Sequence, residues 1–360
     1  MSATWGERFR LTIFGESHGP SVGVVLDGVP AGLVIDPGEI AYEMLRRAPG
    51  RGSLSTPRKE TDEARIQSGV LDGRATGAPI CAIIENRNTS SSDYDDLRET
   101  PRPGHADYTG SVKFRGFNDH RGGGHFSGRL TAPIVFAGAV ARIALRDHGV
   151  QAGAQILSVG EVGGRRFDPC QTAPEALRLL RELDFPALEN AELMKAEILA
   201  AKNEQDSVGG VVECVLTGLP AGAGEPFFDS IESRIAGLVF SIPAVKGIDF
   251  GDGFGLSKLR GSQANDAFVI RDGAVLTETN RAGGVLGGIS TGMPVVFRTA
   301  FKPTPSIAKS QRTVNLQSLE ETRLTVRGRH DPCIVQRAVP VVEAAALIAA
   351  LDLMLVGGIF

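Results

Sequence analysis

Aromatic residues are scarce in this chain, at 6% with a single tryptophan, Trp5. That argues against a stacking platform for single-stranded nucleic acid. The net charge of -4 argues against general nucleic-acid binding as well. Cysteines are few: Cys81, Cys170, Cys214 and Cys333 stand far apart, with no Cys-x-x-Cys pair. A zinc ribbon or a disulfide framework is disfavoured, and a reducing cytoplasm is the expected compartment. No long uncharged apolar run is present. The best candidate, Val341–Phe360, is broken by Glu343 and Asp352, and the N-terminus carries charges too early for a secretory signal. Neither Gly-x-x-x-x-Gly-Lys-Ser/Thr nor Gly-x-Gly-x-x-Gly occurs, so Walker-type and Rossmann-type nucleotide binding lack their fingerprints.

What is abundant is glycine, 45 of 360 residues, with 20 prolines. Loops should be many. Asp36-Pro37-Gly38-Glu39 reads as a helix start, with an N-cap Asp and Pro at the first helical position, and that helix runs to about Arg47. Thr131–Asp147 reads as a long, mostly buried helix stopped by Gly149. Thr172 with Glu175 suggests a capping box for a helix through Leu183. Further helices are expected at 187–202, Phe228–Val239 and Val341–Leu355. Strands are expected at Phe9–Phe14, Val22–Leu26, Ile80–Glu85, Val208–Leu216, Ala267–Arg271 and Val295–Thr299. Glu321–Arg329 reads as polar and extended.

A faint echo runs through the chain. Ser21-Val22-Gly23 leads into Gly28-Val29-Pro30-Ala31-Gly32, and Ser207-Val208-Gly209 leads into Gly218-Leu219-Pro220-Ala221-Gly222. Both chance in a glycine-rich chain and an internally duplicated fold account for it. The spread of elements favours α+β without strict βαβ alternation. No linker demands a boundary, so residues 1–360 are read as a single domain.

Chemistry concentrates between residues 98 and 129. Arg98, Arg102, Lys113, Arg115, Arg121 and Arg129 face only Glu99, Asp107 and Asp119, a local +3 in an acidic protein, and His105, His120 and His125 lie among them. Arginine clamps carboxylates and phosphates with paired hydrogen bonds, and histidine moves protons near neutral pH. The pattern points to an anionic, phosphorylated substrate. The neighbouring arginines repel a cation, so no metal is expected despite the clustered histidines. The run Arg121-Gly122-Gly123-Gly124, followed by the helix from Thr131, resembles an anion cradle at a helix N-terminus. Gly15-Glu16-Ser17-His18-Gly19 ends a strand on a tight turn. Lys302-Pro303-Thr304-Pro305-Ser306 is a reasonable phosphate grip. Gly283-Gly284 and Gly287-Gly288 allow close backbone approach to a ligand. Arg46-Arg47, Arg51 and Arg58-Lys59 read, on their own, as a solvated basic loop. Gly328-Arg329-His330-Asp331-Pro332-Cys333 concentrates a base, a cation and a carboxylate, and its plain reading is an exposed turn with a surface ion pair.

Taken in order, these blocks resemble the chorismate synthase family. They are Gly-Glu-Ser-His-Gly at 15, Arg-Pro-Gly-His-Ala-Asp-Tyr-Thr at 102, Arg-Gly-Gly-Gly at 121, Lys-Pro-Thr-Pro-Ser at 302 and Gly-Arg-His-Asp-Pro-Cys at 328. Ser-Val-Gly-Gly at 207 and Gly-Asp-Gly-Phe at 251 fit as well, and the resemblance covers essentially the whole chain. It implies helices sandwiched between two antiparallel sheets, internally related halves and a cytoplasmic homotetramer. It implies loss of phosphate and a ring proton from 5-enolpyruvylshikimate 3-phosphate to give chorismate, with reduced FMN required and no net redox. The sequence does not say whether the chain reduces its own flavin with NADPH.

Carried over by the same resemblance, His18 protonates the leaving phosphate and His105 supports the reduced flavin near N1. Asp331 works with flavin N5 in removing the ring proton. Ser17, Arg47, Ser127, Arg129 and Arg337 hold the substrate. His125, Phe126, Ser127, Ala244, Gly287, Lys302, Pro303, Thr304, Pro305, Ser306 and Arg329 contact FMN. The chain departs from the common pattern at Ala48, Ser53, His125-Phe126-Ser127 and Pro243. The rival readings are a non-catalytic flavin- or phosphate-binding regulator, which has no need of His18, His105 and Asp331 together, and a metal-dependent phosphohydrolase.

Overall fold

A computed structural model describes residues 3–50, Leu54, 61–87, 97–326, Gly328 and 330–360. Arg51, Ser53, Arg58, Lys59 and Arg329 lie outside the described residues.

The chain runs through one sequence of elements twice. In the first pass β1 (Arg10–Gly15) and β2 (Ser21–Asp27) lead to α1 (Pro37–Arg47). Then come β3 (Ala64–Ser68), β4 (Ile80–Glu85) and α2 (Thr131–Arg146). In the second, β5 (Gln151–Val159) and β6 (Gly210–Thr217) lead to α3 (Ile231–Val239), then β7 (Val245–Phe250), β8 (Val295–Phe301) and α4 (Val335–Val356). Each pass makes an antiparallel sheet with the same order, β1-β2-β4-β3 and β5-β6-β8-β7, and a short strand adds to one edge of each. The four helices form a layer between the sheets: α2 packs on α4 and α1, α3 packs on α4, α2 meets β2, and α4 meets β5 and β6. Apolar residues of both passes join in one core.

The echo marks matching turns. In each copy the first glycine ends the central strand with positive φ, 82° at Gly28 and 77° at Gly218. A side chain at either would strike a backbone carbonyl, 1.7 Å from Arg8 O and 2.1 Å from Gly149 O. Those carbonyls sit two residues before β1 and two before β5, so the same close approach occurs twice. Only glycine accepts both the conformation and the contact.

The start of α1 is as expected, with Asp36 Oδ1 accepting from the backbone N–H of Gly38 and Glu39 at 2.9 and 3.2 Å. Other expectations need correction. No capping box forms at Thr172. The helix is Pro174–Glu182 with Ala173 at its N-cap, and the Thr172 hydroxyl donates to Asp168 O at 2.9 Å. Pro174 takes the first helical position, which leaves Thr172 one residue too early. The helix expected from 187 begins at Ala191, after a segment tied to β5 by Ile156 N–H donating to Pro186 O. α3 starts at Ile231, where the Ser230 hydroxyl accepts from Ser233 N–H, and Phe227 and Phe228 precede it fully exposed.

α4 begins six residues earlier than expected and contains Pro340. A proline this near a helix N-terminus costs one backbone hydrogen bond, and burial on all sides compensates for that loss. β5 was not legible. Its sequence is rich in Ala and Gly because both faces are packed: a side chain at Gly153 would lie 2.7 Å from Leu177 Cδ2 of the outer helix Pro174–Glu182, while α4 covers the other face.

Residues 128–146 and 335–356 are long and apolar enough to cross a membrane, but 94% and 89% of these stretches is buried inside the fold. Both are core helices. Glu343 and Asp352, the charges that interrupt α4, are buried and paired. Glu343 takes Arg46 and Arg142. Asp352 takes Arg234 and the backbone N–H groups of Glu7, Arg8 and Phe9.

Candidate active site

The two passes meet at a cleft of about 640 Å³. Its walls are matching pieces of the two halves. The C-terminal ends of α1 and α3 bring Arg47 and residues 240–246. The segments leading into α2 and α4 bring residues 122–131 and 330–341. Among the described residues six cations line it, Arg47, Arg102, Arg129, Lys246, Lys302 and Arg337, against one carboxylate, Asp331. A volume of this order suits a small-molecule ligand, and the charge selects an anionic one.

Gly122, Gly123 and Gly124 have φ of 60°, 83° and 51° and form a left-handed turn that only glycines adopt readily. Two histidines pack against it. A side chain on Gly122 would lie 2.5 Å from His18 Nε2, and one on Gly123 would lie 3.2 Å from His105 Nε2. The turn is docked by Ser17, whose N–H donates to Gly124 O at 3.2 Å and whose hydroxyl donates to Gly122 O at 3.0 Å. Thus Ser17 and His18 sit behind Gly122 rather than on the open wall, and His105 is on the wall itself. The anion-cradle expectation is modified accordingly: the glycines admit histidines, and Ser127 starts the helical segment by accepting from Arg129 N–H at 3.3 Å.

Two further groups were not singled out in the sequence. Arg102 donates to Asp107 at 2.8 Å from Nε and to the Ser306 hydroxyl at 3.0 Å from Nη1, and its Nη2 lies 3.0 Å from His105 Nδ1. Asp107 also lies 2.6 Å from His105 Nδ1. Burial opposes ionisation of Asp107, yet the hydrogen bonds from Arg102 and His105 hold its carboxyl well below the usual carboxylate range. The second group is Asp62, whose side chain is fully buried between Arg47 and Arg129 and bonded to both. Nothing in local spacing links residues 47, 62 and 129.

Arg46 and Arg47 are buried, so the expected solvated cluster is corrected there. The interior supplies their partners, Glu43 and Glu343 for Arg46 and Asp62 for Arg47. Burial lowers the Arg47 pKa to about 10, and Arg337 and Arg129 push it the same way against Asp62. The Asp331 pair is not a surface turn either: Arg337 Nη1 donates to Asp331 Oδ2 at 2.5 Å, with both side chains mostly buried at the cleft.

On the opposite wall Ala244 holds φ of 74°, an uncommon conformation for a residue with a side chain, and its carbonyl accepts from Lys302 N–H at 2.9 Å. Lys302 Nζ bonds to Gly104 O, and burial, then neighbouring Lys246, lowers its pKa. Thr304 Oγ1 is buried without a hydrogen-bond partner among the described residues. His125 Nδ1 lies 3.0 Å from Gly15 O, and Phe126 packs on Gly110 and Phe114.

Of the expected flavin contacts, His125, Phe126, Ser127, Ala244, Lys302, Thr304, Pro305 and Ser306 line the cleft. Pro303 and Gly287 do not. Gly287 and Gly288 form the two-residue turn of a hairpin, Val285–Leu286 with Ile289–Ser290, where positive φ of 62° and 89° is what the turn requires.

A family model, "Chorismate synthase", matches residues 9–355. The chain belongs to the chorismate synthase family. A chorismate synthase of Dehalococcoides mccartyi strain BAV1 is 49% identical over 365 residues, covering 100% of this chain and 98% of the relative. One of Thermococcus kodakarensis is 50% identical, covering 97% of each. A crystal structure titled as that of chorismate synthase superposes with a TM-score of 0.75 at 29% identity, covering 98% of this chain and 93% of the other. The fold is therefore the chorismate synthase one, α+β with a helical layer between antiparallel sheets, and the protein is an enzyme of the carbon–oxygen lyase class.

Proposed function

We propose that this protein releases phosphate and a ring proton from 5-enolpyruvylshikimate 3-phosphate in a 1,4-elimination that requires reduced FMN. The observation carrying this is the cleft lining. Among the described residues six cations and one acid face the same space, and two histidines meet at one glycine turn beside it. The substrate has two carboxylates and a phosphate, which six cations suit.

The residues fit a flavin mononucleotide. Thr304 Oγ1 is a buried hydroxyl in need of a partner, Lys302 and Lys246 offer charge for a phosphate, and Phe240, Ile242, Ala244 and Phe301 offer an apolar face. When bound, reduced FMN supplies electron density to a ring whose proton no side chain is basic enough to remove unaided.

The chain's own residues do the rest. Arg47, Arg129 and Arg337 orient the anionic groups, with Ser127 on the same cleft wall. His18, held behind Gly122 with Ser17 beside it, is the proton donor for the departing phosphate oxygen, a role that requires the substrate to reach past the glycine turn. His105, oriented by Asp107 and Arg102, stands on the cleft wall toward the cofactor side. Asp331, ion-paired with Arg337, receives the ring proton. Assembly as a homotetramer in the cytoplasm belongs to the same proposal, and the exposed Phe117, Phe227, Phe228 and Phe254 are apolar surface that association would bury.

The test is an anaerobic assay with 5-enolpyruvylshikimate 3-phosphate and dithionite-reduced FMN. Chorismate and phosphate should form in equal amounts without net flavin oxidation. No turnover with reduced flavin overturns the function, and phosphate release without flavin overturns the mechanism.

A further inference from the structure

We infer that Asp62 is a positioning residue for substrate binding, an internal anion that holds Arg47 and Arg129 together as a preformed grip. The inference rests on the proposed roles of those two arginines. Asp62 has no part in any role assigned above.

Arg47 ends α1, and Arg129 lies in the turn before α2. Their guanidinium groups belong to separate elements yet share one carboxylate. Asp62 Oδ2 accepts from Arg47 Nη1, and Asp62 Oδ1 accepts from Arg129 Nη1. The Asp62 side chain is 0% exposed, and those of Arg47 and Arg129 are 3% and 4% exposed. Each arginine is also tied to two neutral acceptors. Arg47 donates to the Thr131 hydroxyl at 3.1 Å and to Gly128 O at 3.2 Å. Arg129 donates to Asn86 Oδ1 at 2.9 Å and to Glu85 O at 3.0 Å. A guanidinium has five N–H donors. Three on each hold its place, and both residues line the cleft.

Two buried like charges repel, and neutral acceptors alone do not offset that. A carboxylate between them does, and it sets their separation through two charge-assisted hydrogen bonds. Asp62 itself holds φ of 50°, a left-handed conformation that an aspartate tolerates better than most residues and that the surrounding structure must impose.

Removing the carboxylate has two opposed effects. It raises the net positive charge facing the cleft, which favours an anion. It also leaves two nearly unexposed guanidiniums facing each other, and their available relief is to move apart, out of the register in which both meet one ligand. Because both groups are almost fully desolvated, the second effect dominates.

The experiment measures 5-enolpyruvylshikimate 3-phosphate binding to the flavin-free chain by calorimetry, alongside turnover with reduced FMN. In Asp62→Asn the dissociation constant should rise at least about tenfold, the loss of one charge-assisted hydrogen bond. KM should rise with it more than kcat falls, in protein that remains folded by circular dichroism. Asp62→Ala should behave likewise and regain binding, saturably, when formate is added as a replacement carboxylate. Unchanged or tighter binding in Asp62→Asn overturns the inference, as does a loss in Asp62→Ala that formate leaves untouched. If the Asn variant does not fold, Asp62→Glu decides. It keeps the charge and moves it by one methylene, so weakened binding supports the grip and unchanged binding overturns it. A wild-type chain that binds substrate but does not turn over would instead defeat the proposed reaction and leave the binding measurement standing.

Discussion

The two halves of the chain share a topology but not a chemistry. α1 and α3 occupy equivalent places, and both end at the cleft. α1 ends in Arg46 and Arg47, while α3 runs out through Phe240, Ser241 and Ile242. The segment before α2 brings Arg102, His105 and Arg129; the one before α4 brings Lys302 and Asp331, and the first turn of α4 brings Arg337. The first half thus supplies most of the guanidinium grip, and the second supplies the apolar wall, the lysines and the acid. Duplication built a two-sided cleft, and divergence at the helix ends made its sides different. The interior charges differ too. Arg46 and Arg142 of the first half depend on Glu343, whereas Arg234 of the second depends on Asp352.

The largest break in this comparison should come from the proton-handling groups, one from each half. His18→Ala and Asp331→Asn should each lower kcat by about 10²–10⁴-fold while leaving substrate and FMN affinity near normal. Single-turnover phosphate release under anaerobic conditions reads the first quantity and flavin absorbance the second. Lost binding with unchanged chemistry in the bound fraction would make Asp331 a positioning group.

Glu343→Ala tests the interior of the first half. It leaves Arg46 and Arg142 buried without their shared carboxylate, and Ala154 N–H without its 3.0 Å acceptor. Truncating one partner of a buried charge network costs about 3–5 kcal/mol. Urea unfolding should show that loss, and a change under about 1 kcal/mol would mean that Glu43 alone sustains the arginines.

Arg129→Ala and Arg337→Ala compare the anion grips of the two halves. Each should cost about 1.5–3 kcal/mol of substrate binding, roughly ten- to a hundred-fold in KM. Equal effects would mean that the grip spans both halves, and wild-type kinetics in either variant would remove that residue from it.

The smallest effect is a pH dependence of stability. Burial pushes the Glu43 carboxyl up, but Arg142, Arg46 and Arg181 overcome it and hold the pKa at about 2, below the unfolded value of 4.5. The folded state therefore binds the proton less readily than the unfolded chain. The stabilisation is complete above the unfolded value and is lost as pH falls toward about 2. Urea midpoints should decline from pH 5 downward, and Glu43→Gln should flatten that part of the profile. An unchanged slope would mean that other carboxylates set it.

The glycine and proline punctuation, the Asp36 cap, the buried helix from Thr131 and the strands at 22–26 and 80–85 were legible because each rests on neighbours in sequence. The echo of two glycine turns left chance and duplication both open, and the repeated topology and matching close approaches decided for the repeat. The motif blocks named the family and most of the cleft wall, since glycine turns and histidines announce themselves locally. β5 was hidden because two packed faces ask for small residues, not an alternating pattern. The burial of Arg46 and Arg47 was hidden because a basic run reads as solvated until its acids are found.

The partners of Asp62, Glu343 and Asp107 became visible only in three dimensions. A buried ion pair depends on distance and on the exclusion of water, and neither is written in the spacing along the chain. The sequence by itself determined which chemical groups the protein has and where its backbone must turn. Tertiary structure alone decided which carboxylate stands behind which arginine, because those partners come from separate helices, turns and strands that meet only when the chain packs.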